Sequence, residues 1–258
     1  MTEGVLVEDR GPVRWIALDR PERRNGLEPA VLGHATRALR ELGDARAVVL
    51  TGRGGAFSSG ADLRYAMENA QELMGDLDAH LGRFQELVRA VLACPVPVIA
   101  AVDGAAYGFG CDLALACDLR VASTRAYFQE GFVRIGLIPD GGGTWMLPRL
   151  VGLSKALEMT LLGERVDAEA AQRLGLVVKV VAPEALDAEA MAMAERIAAG
   201  PPIAVRHMKR LMHESLAKPF PEAFRDEGSA QMECLRSEDF LEGVMAFFEK
   251  RPAQFKGR

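Results

Sequence analysis

The 258-residue sequence has four cysteines, Cys94, Cys111, Cys117 and Cys234, and no two of them stand in a CxxC spacing. Neither a disulfide framework nor a paired-cysteine metal or redox motif is therefore indicated. No basic segment followed by an apolar one opens the chain in the manner of a secretion signal. Both absences point to a reducing, cytoplasmic compartment. No apolar run reaches the ~18 residues that a membrane span requires. The histidines His34, His80, His207 and His213 are scattered without ligand spacing, so no metal is expected. An excess of basic charge is missing too: 31 Lys and Arg face 36 Asp and Glu, a formal charge of −5, which excludes the electrostatic footprint of a nucleic-acid binder.

The chain does contain enough apolar residue, 49%, to bury a sizeable core. Residues 5–8 and 13–18 form β-rich runs around the turn Asp9-Arg10-Gly11-Pro12 and predict a hairpin. Leu32, Ala35, Leu39 and Leu42 recur at helical spacing and predict a helix over about 29–42. The apolar runs 47–50 and 96–102 read as buried strands, separated by a long, polar helical stretch over 63–92. From about residue 185 onward the pattern is helical. Strands alternating with helices predict an α/β fold, which pattern alone makes a doubly wound sheet.

Two segments carry the chemistry. Phe57-Ser58-Ser59-Gly60-Ala61-Asp62-Leu63 and Asp103-Gly104-Ala105-Ala106-Tyr107-Gly108-Phe109-Gly110-Cys111-Asp112 each place an exposed backbone turn beside a helix start and a carboxylate. Unpaired N–H groups at such starts favour negative charge on a ligand oxygen, and two of them together form an oxyanion hole. Phe109 and Asp112 are three apart at the start of a helix predicted over 110–118, so they share a face. A carboxylate there lies within reach of a carbon next to a polarised carbonyl, the geometry of proton transfer alpha to that carbonyl. Ser58 and Ser59 have no nucleophile-elbow context. Gly52-Arg53-Gly54-Gly55 lacks the ending of a phosphate-binding loop.

These segments resemble those of the enoyl-CoA hydratase/isomerase family, the crotonase superfamily. The resemblance extends to Asp19-Arg20-Pro21-Glu22 with Asn25-Gly26-Leu27, Gly136-Leu137-Ile138-Pro139-Asp140-Gly141-Gly142-Gly143-Thr144, and the tail Glu242-Gly243-Val244 with Phe255-Lys256-Gly257. It implies a crotonase spiral of β-β-α repeats over residues 1–195, holding CoA-thioester binding and catalysis, in place of a doubly wound sheet. Residues 196–258 are then a helical C-terminal oligomerisation region, giving a homo-trimer or a dimer of trimers. Coenzyme A is implied as part of an acyl-CoA thioester substrate, with no separate cofactor.

Residue by residue, the resemblance assigns the oxyanion-hole N–H groups to Ala61 and Phe109, the latter where the family usually has glycine. It assigns CoA binding to Arg23, Arg24, Asn25, Ser59, Gly60, Asp62 and Leu63, with Lys256 from a neighbouring subunit's tail. Asp112 matches an acid/base position where hydratases carry glutamate and isomerases also use aspartate. Phe132 aligns with the hydratases' second catalytic glutamate and exchanges no proton, which argues against an ordinary hydratase. Glu130, two residues away, is expected to point elsewhere. Asp140 stands where several isomerases and a dehalogenase place a functional aspartate, and is otherwise read as a helix cap or turn residue. Phe132 and Trp145 are expected to line an apolar acyl pocket beside it. The stretch around Asp140 is similar to 1,2-epoxyphenylacetyl-CoA isomerases. Isomerisation of an enoyl-CoA or ring-derived thioester is thus the expected activity, with 2-enoyl-CoA hydration and non-catalytic acyl-CoA binding as the alternatives.

Overall fold

β-Rich runs on either side of Gly11 pair at the start of the computed structural model, which describes residues 4–258. β1 (Val5–Arg10) and β2 (Val13–Leu18) are antiparallel, with Val5 opposite Leu18 and Arg10 opposite Val13. α1 (Pro29–Arg40) starts at a proline suited to a first turn and leads to β3 (Ala47–Gly52), parallel to β2.

The stretch expected as one helix over 63–92 is three: α2 (Leu63–Glu68), α3 (Ala70–Gly75) and α4 (Leu77–Leu92). Side-chain caps open the first and the last of them. The Asp62 carboxylate accepts the N–H groups of Arg64 and Tyr65 at the start of α2, and that of Asp76 accepts the Ala79 N–H at the start of α4. Such caps satisfy donors that a helix start otherwise leaves unpaired.

The next segments show the repeat. β4 (Val98–Val102) and β5 (Ala105–Tyr107) precede α5 (Phe109–Ala116), and β6 (Leu119–Ser123) and β7 (Tyr127–Gln129) follow it. β4 pairs with β6 and β5 with β7, both in parallel, so each turn of chain gives one strand to each of two sheets. Ser58 bridges Ala106 in the same sense, which places the segment after β3 at the equivalent point of the preceding turn. This is the spiral that the family resemblance implies, and it replaces the doubly wound sheet expected from pattern alone.

The chain continues through α6 (Gly143–Val151), α7 (Leu153–Leu162), β8 (Val166–Asp167), α8 (Ala168–Arg173) and β9 (Lys179–Val181). The six-stranded sheet runs β1-β2-β3-β4-β6-β9 and the three-stranded one β5-β7-β8. Period-two alternation sends Val48 and Leu50 to one core and Ala47 and Val49 to the other. The first core holds α1, α4 and α5. The second is closed by α9 (Leu186–Ala198), whose Leu186, Ala190, Ala194 and Ala198 lie four apart against Trp15, Ile99 and Val121.

The division expected at 195/196 falls inside α9, which belongs to the sheet it covers. Beyond it come α10 (Pro202–Ser215), α11 (Phe220–Leu235) and α12 (Glu238–Glu249). α10 is tied back by Lys209 and His213, each 2.8 Å from the Asp118 carboxylate just before β6.

Candidate active site

Gly60 and Gly108 set the first part of the site. Gly60 has φ +80°, and a Cβ built there stands 2.7 Å from the Tyr107 carbonyl oxygen and 3.0 Å from the Phe109 nitrogen. Only a residue without a side chain lets these two loops touch. Ala61 follows Gly60 directly, so the turn brings its N–H and that of Phe109 to the same region. Among the described residues neither N–H donates to a backbone acceptor.

Phe109 is accommodated because the unusual backbone angle falls one residue earlier, at Gly108 with φ 54°. Phe109 itself takes ordinary helical angles as the first residue of α5. Its ring packs edge-on against Phe84 of α4 at 4.8 Å.

Asp112, on the first turn of α5, is fully buried. Its Oδ2 accepts the Gly141 N–H at 2.8 Å, while Oδ1 has no partner. Gly143 makes this approach possible, since a Cβ there stands 2.2 Å from Oδ1. Burial pushes the Asp112 carboxyl up to about 7, against the opposing pull of the Gly141 N–H, and the nearby Asp140 charge adds to the rise.

Asp140 is half-buried, with Oδ1 enclosed and unpartnered, and burial raises its pKa as well. Helix α6 begins after Gly142 with no side-chain cap, so Asp140 does not cap it. The two aspartates face one region from different elements, one on α5 and the other on the loop before α6.

Glu130 is the residue that sequence reasoning misplaced. It is 1% exposed, neither of its oxygens has a hydrogen-bond partner of good geometry, and it acts on Asp112 and Asp140. Burial first, then the Asp112 charge, pushes its carboxyl well above the usual carboxylate range. Phe128, Gln129 and Glu130 are buried in succession, so no alternation along β7 announced it. Phe132 is also buried, in the short 3-10 turn Gly131–Ile135, with its ring tip 4.0 Å from a Cβ built on Gly108.

Trp145 requires a correction. It lies 40% exposed on the first turn of α6, under the Arg149 guanidinium at 4.0 Å. It lines a separate apolar cavity of about 700 Å3 with Leu115 and, from α10, Met208 and Met212. The tilt of α6 thus turns Trp145 toward the C-terminal helices while Gly141 and Gly143 face Asp112.

The loops holding the candidate CoA residues meet beside Ala61. The Ser59 N–H donates to the Arg24 carbonyl at 2.9 Å and the Ser59 hydroxyl to that of Arg23 at 3.3 Å. Arg24 and Asn25 adopt positive φ, 49° and 55°. The Asn25 amide donates to the Arg53 and Ala56 carbonyls and accepts from the Arg20 N–H, so the whole group serves the loop. Asp62 is likewise engaged, with Arg20 at 3.2 Å in addition to its cap. Leu63, 53% exposed, opens α2 beside them. Lys256 is not brought to this cluster by its own chain. Asp239 holds the tail there, and Arg46, just before β3, holds the Phe255 carbonyl at the far end of that strand. Among the described residues no group of three or more His, Cys, Asp and Glu is arranged to hold a metal ion.

The family profile described as enoyl-CoA hydratase/isomerase matches residues 8–258. The chain belongs to that family. It is 44% identical over 244 residues to a Rhodobacter capsulatus protein named "Probable enoyl-CoA hydratase", covering 94% of each. It is 34% identical over 262 residues to the 1,2-epoxyphenylacetyl-CoA isomerase of Escherichia coli, covering 100% of each. The crystal structure of an enoyl-CoA hydratase from Bacillus anthracis superposes with a TM-score of 0.94 at 34% identity, over 99% of this chain and 100% of that one. The protein is thus an enzyme of the enoyl-CoA hydratase/isomerase family, with the crotonase fold.

Proposed function

We propose that this enzyme isomerises an enoyl-CoA or ring-derived CoA thioester by proton transfer through a bound enolate. The observation that carries this reading is the convergence of Asp112 and Asp140 beside the N–H groups of Ala61 and Phe109, with the apolar Phe132 where family hydratases place a second glutamate. The thioester oxygen sits on the two N–H groups, which stabilise the charge that develops there. For a 3-enoyl thioester, Asp140, the more exposed carboxylate, removes a proton from C2. Asp112 carries a proton near neutral pH and delivers it to C4 of the dienolate. The double bond moves from C3 to C2, and proton return from Asp140 to Asp112 resets the site.

A hydratase reading is favoured by one observation: Glu130 gives Asp112 a second carboxyl neighbour, so paired acid/base groups are present despite Phe132. Arg23 and Arg24 are the cations we assign to the CoA phosphates, with Lys256 supplied by a second subunit. Phe220, Phe224, Phe247 and Phe248, each more than 60% exposed, support a C-terminal interface in a trimer or hexamer. No helix among the described residues is long and apolar enough to cross a membrane, and the free cysteines support a cytoplasmic setting.

The test is incubation with crotonyl-CoA and with a 3-enoyl-CoA in deuterated water, followed by mass spectrometry and NMR. Double-bond migration or deuterium incorporation without water addition is expected. Rapid formation of 3-hydroxyacyl-CoA instead makes the enzyme a hydratase, and no exchange of alpha protons in any bound thioester makes it a binding protein.

A further inference from the structure

The proposed reaction uses Asp112 and Asp140 and leaves a third buried carboxyl without a task. Glu130 directly follows β7, 1% exposed, and neither Oε1 nor Oε2 has a hydrogen-bond partner of good geometry. Oδ1 of Asp112 is equally enclosed and equally without a partner. The titratable groups acting on Glu130 are Cys111 and Asp112 from α5 and Asp140 from the loop before α6. Three unpaired oxygens on two adjacent buried carboxyls cannot stand as two anions, because a buried acceptor without a donor is costly and like charges repel. Whenever Asp112 is ionised, a proton on its neighbour removes the repulsion and turns one of the orphaned oxygens into a donor for another.

We infer that Glu130 is held as a neutral carboxylic acid whose O–H donates to Oδ1 of Asp112, making it a positioning residue for the acid of the reaction. The proton belongs on Glu130 because Asp112 already accepts the Gly141 N–H on Oδ2, which favours its charged form, whereas only the weakly donating Cys111 thiol favours a charge on Glu130, against its burial and the Asp112 charge. Burial and the Asp112 charge act in the same direction, holding the Glu130 carboxyl protonated. Cys111 beside it stays a thiol, since burial pushes its pKa well up. In the reaction Asp112 becomes an anion when it gives up its proton, and at that moment the Glu130 O–H and the Gly141 N–H each hold one of its oxygens. The role rests on the proposed action of Asp112 as an acid. The protonation state does not.

The test reads Asp112 in the free enzyme, with no turnover needed. Protein carrying 13C-labelled aspartate carboxyls is titrated by NMR, the Asp112 signal being assigned by its absence in Asp112→Asn. Glu130→Gln keeps a neutral donor and is expected to leave the Asp112 pKa within a few tenths of a unit. Glu130→Met removes the donor and is expected to raise that pKa by about one to two units, the worth of a hydrogen bond to a charged group. The alkaline limb of the kcat profile should rise with it, and kcat should fall in Glu130→Met but be retained in Glu130→Gln. A lower Asp112 pKa in both variants overturns the proposal, because it shows that a negative charge was removed. An unchanged pKa in Glu130→Met overturns it as well, because no donor was lost. Failure of the isomerase reading registers separately, as absence of deuterium exchange in the wild-type enzyme, and leaves this titration readable.

Discussion

The N–H of Gly141 and the Asp112 carboxylate are joined at 2.8 Å, and the same loop two residues on leaves no room for a side chain against that carboxylate. A Cβ on Gly143 stands 2.2 Å from Oδ1 and 3.2 Å from Cγ of Asp112. Gly143→Ala must therefore swing the carboxylate away from the place where the proposed reaction needs it. A displacement of ~1 Å at a reacting group lowers rates by roughly 100-fold. Steady-state kinetics should show that loss in kcat with KM changed only a few-fold, since the loops proposed to hold CoA and the thioester oxygen are untouched. A loss confined to KM would mean that Asp112 binds and does not react.

Asp112 also sets a pH dependence of stability. Its carboxyl titrates at about 7 in the folded chain against an ordinary value of 3.8, so the folded state keeps a proton that the unfolded chain releases. Stability is then fully present below pH ~4, falls as pH rises toward ~7, and stays reduced above it. The penalty at pH 8 is on the order of a few kcal/mol, from ~1.4 kcal/mol per unit. Asp112→Asn removes it while keeping an acceptor for the Gly141 N–H. Thermal denaturation should show the variant more stable than wild type at pH 8, with the gain vanishing near pH 4, while turnover is lost. A gain independent of pH would refute the assignment.

Asp140 makes no cap to α6, so its replacement has little structure to disturb. Asp140→Asn should leave the melting temperature within about 2 °C of wild type and thioester binding by calorimetry within a few-fold. Turnover should fall by roughly 10²- to 10⁴-fold, the usual worth of a general base. Deuterium incorporation at C2 should fall with it, because proton removal is the step lost. Full retention of exchange would assign the base to Asp112 alone.

The close approach of the Ala61 and Phe109 loops was legible in the sequence because it is a backbone feature announced by glycines: Gly60 before Ala61 and Gly108 before Phe109. Asp112 was legible for the same reason, since helical spacing from Phe109 fixes its face. The spiral was not legible from periodicity, because alternating strands and helices fit a doubly wound sheet equally well. Only the longer motif pattern separated the two. Glu130 escaped because the chain passes at Gly131 from strand to 3-10 turn. A residue counted back from Phe132 therefore does not inherit that turn's direction. Trp145 was misplaced because closeness in sequence to Asp140 says nothing about which side of α6 a first-turn residue presents. The breaks within 63–92 fall at Asn69, whose side-chain amide donates to the Tyr65 carbonyl, and at Asp76, which caps α4, a local competition that a broad polar pattern conceals.

The two N–H groups can be tested apart from the carboxylates through Gly60. A methyl group there meets the Tyr107 oxygen at 2.7 Å and the Phe109 nitrogen at 3.0 Å, at a φ of +80° that side chains rarely adopt. Backbone lies on both sides, so Gly60→Ala must push the Ala61 and Phe109 loops apart and spoil the convergence of their N–H groups. Loss of a single donor from such a site costs roughly 10²- to 10³-fold in kcat. Asp112 sits on α5 and is held from the α6 side by Gly141, so its titration should stay where it is in wild type. Gly60→Ala should therefore lower kcat across the whole pH range without moving either limb of the profile, whereas Gly143→Ala should move the limb that Asp112 sets. A limb shifted equally in both variants would mean that the loops and the carboxylate act as one unit, and the oxyanion hole would then have no role separable from that of Asp112.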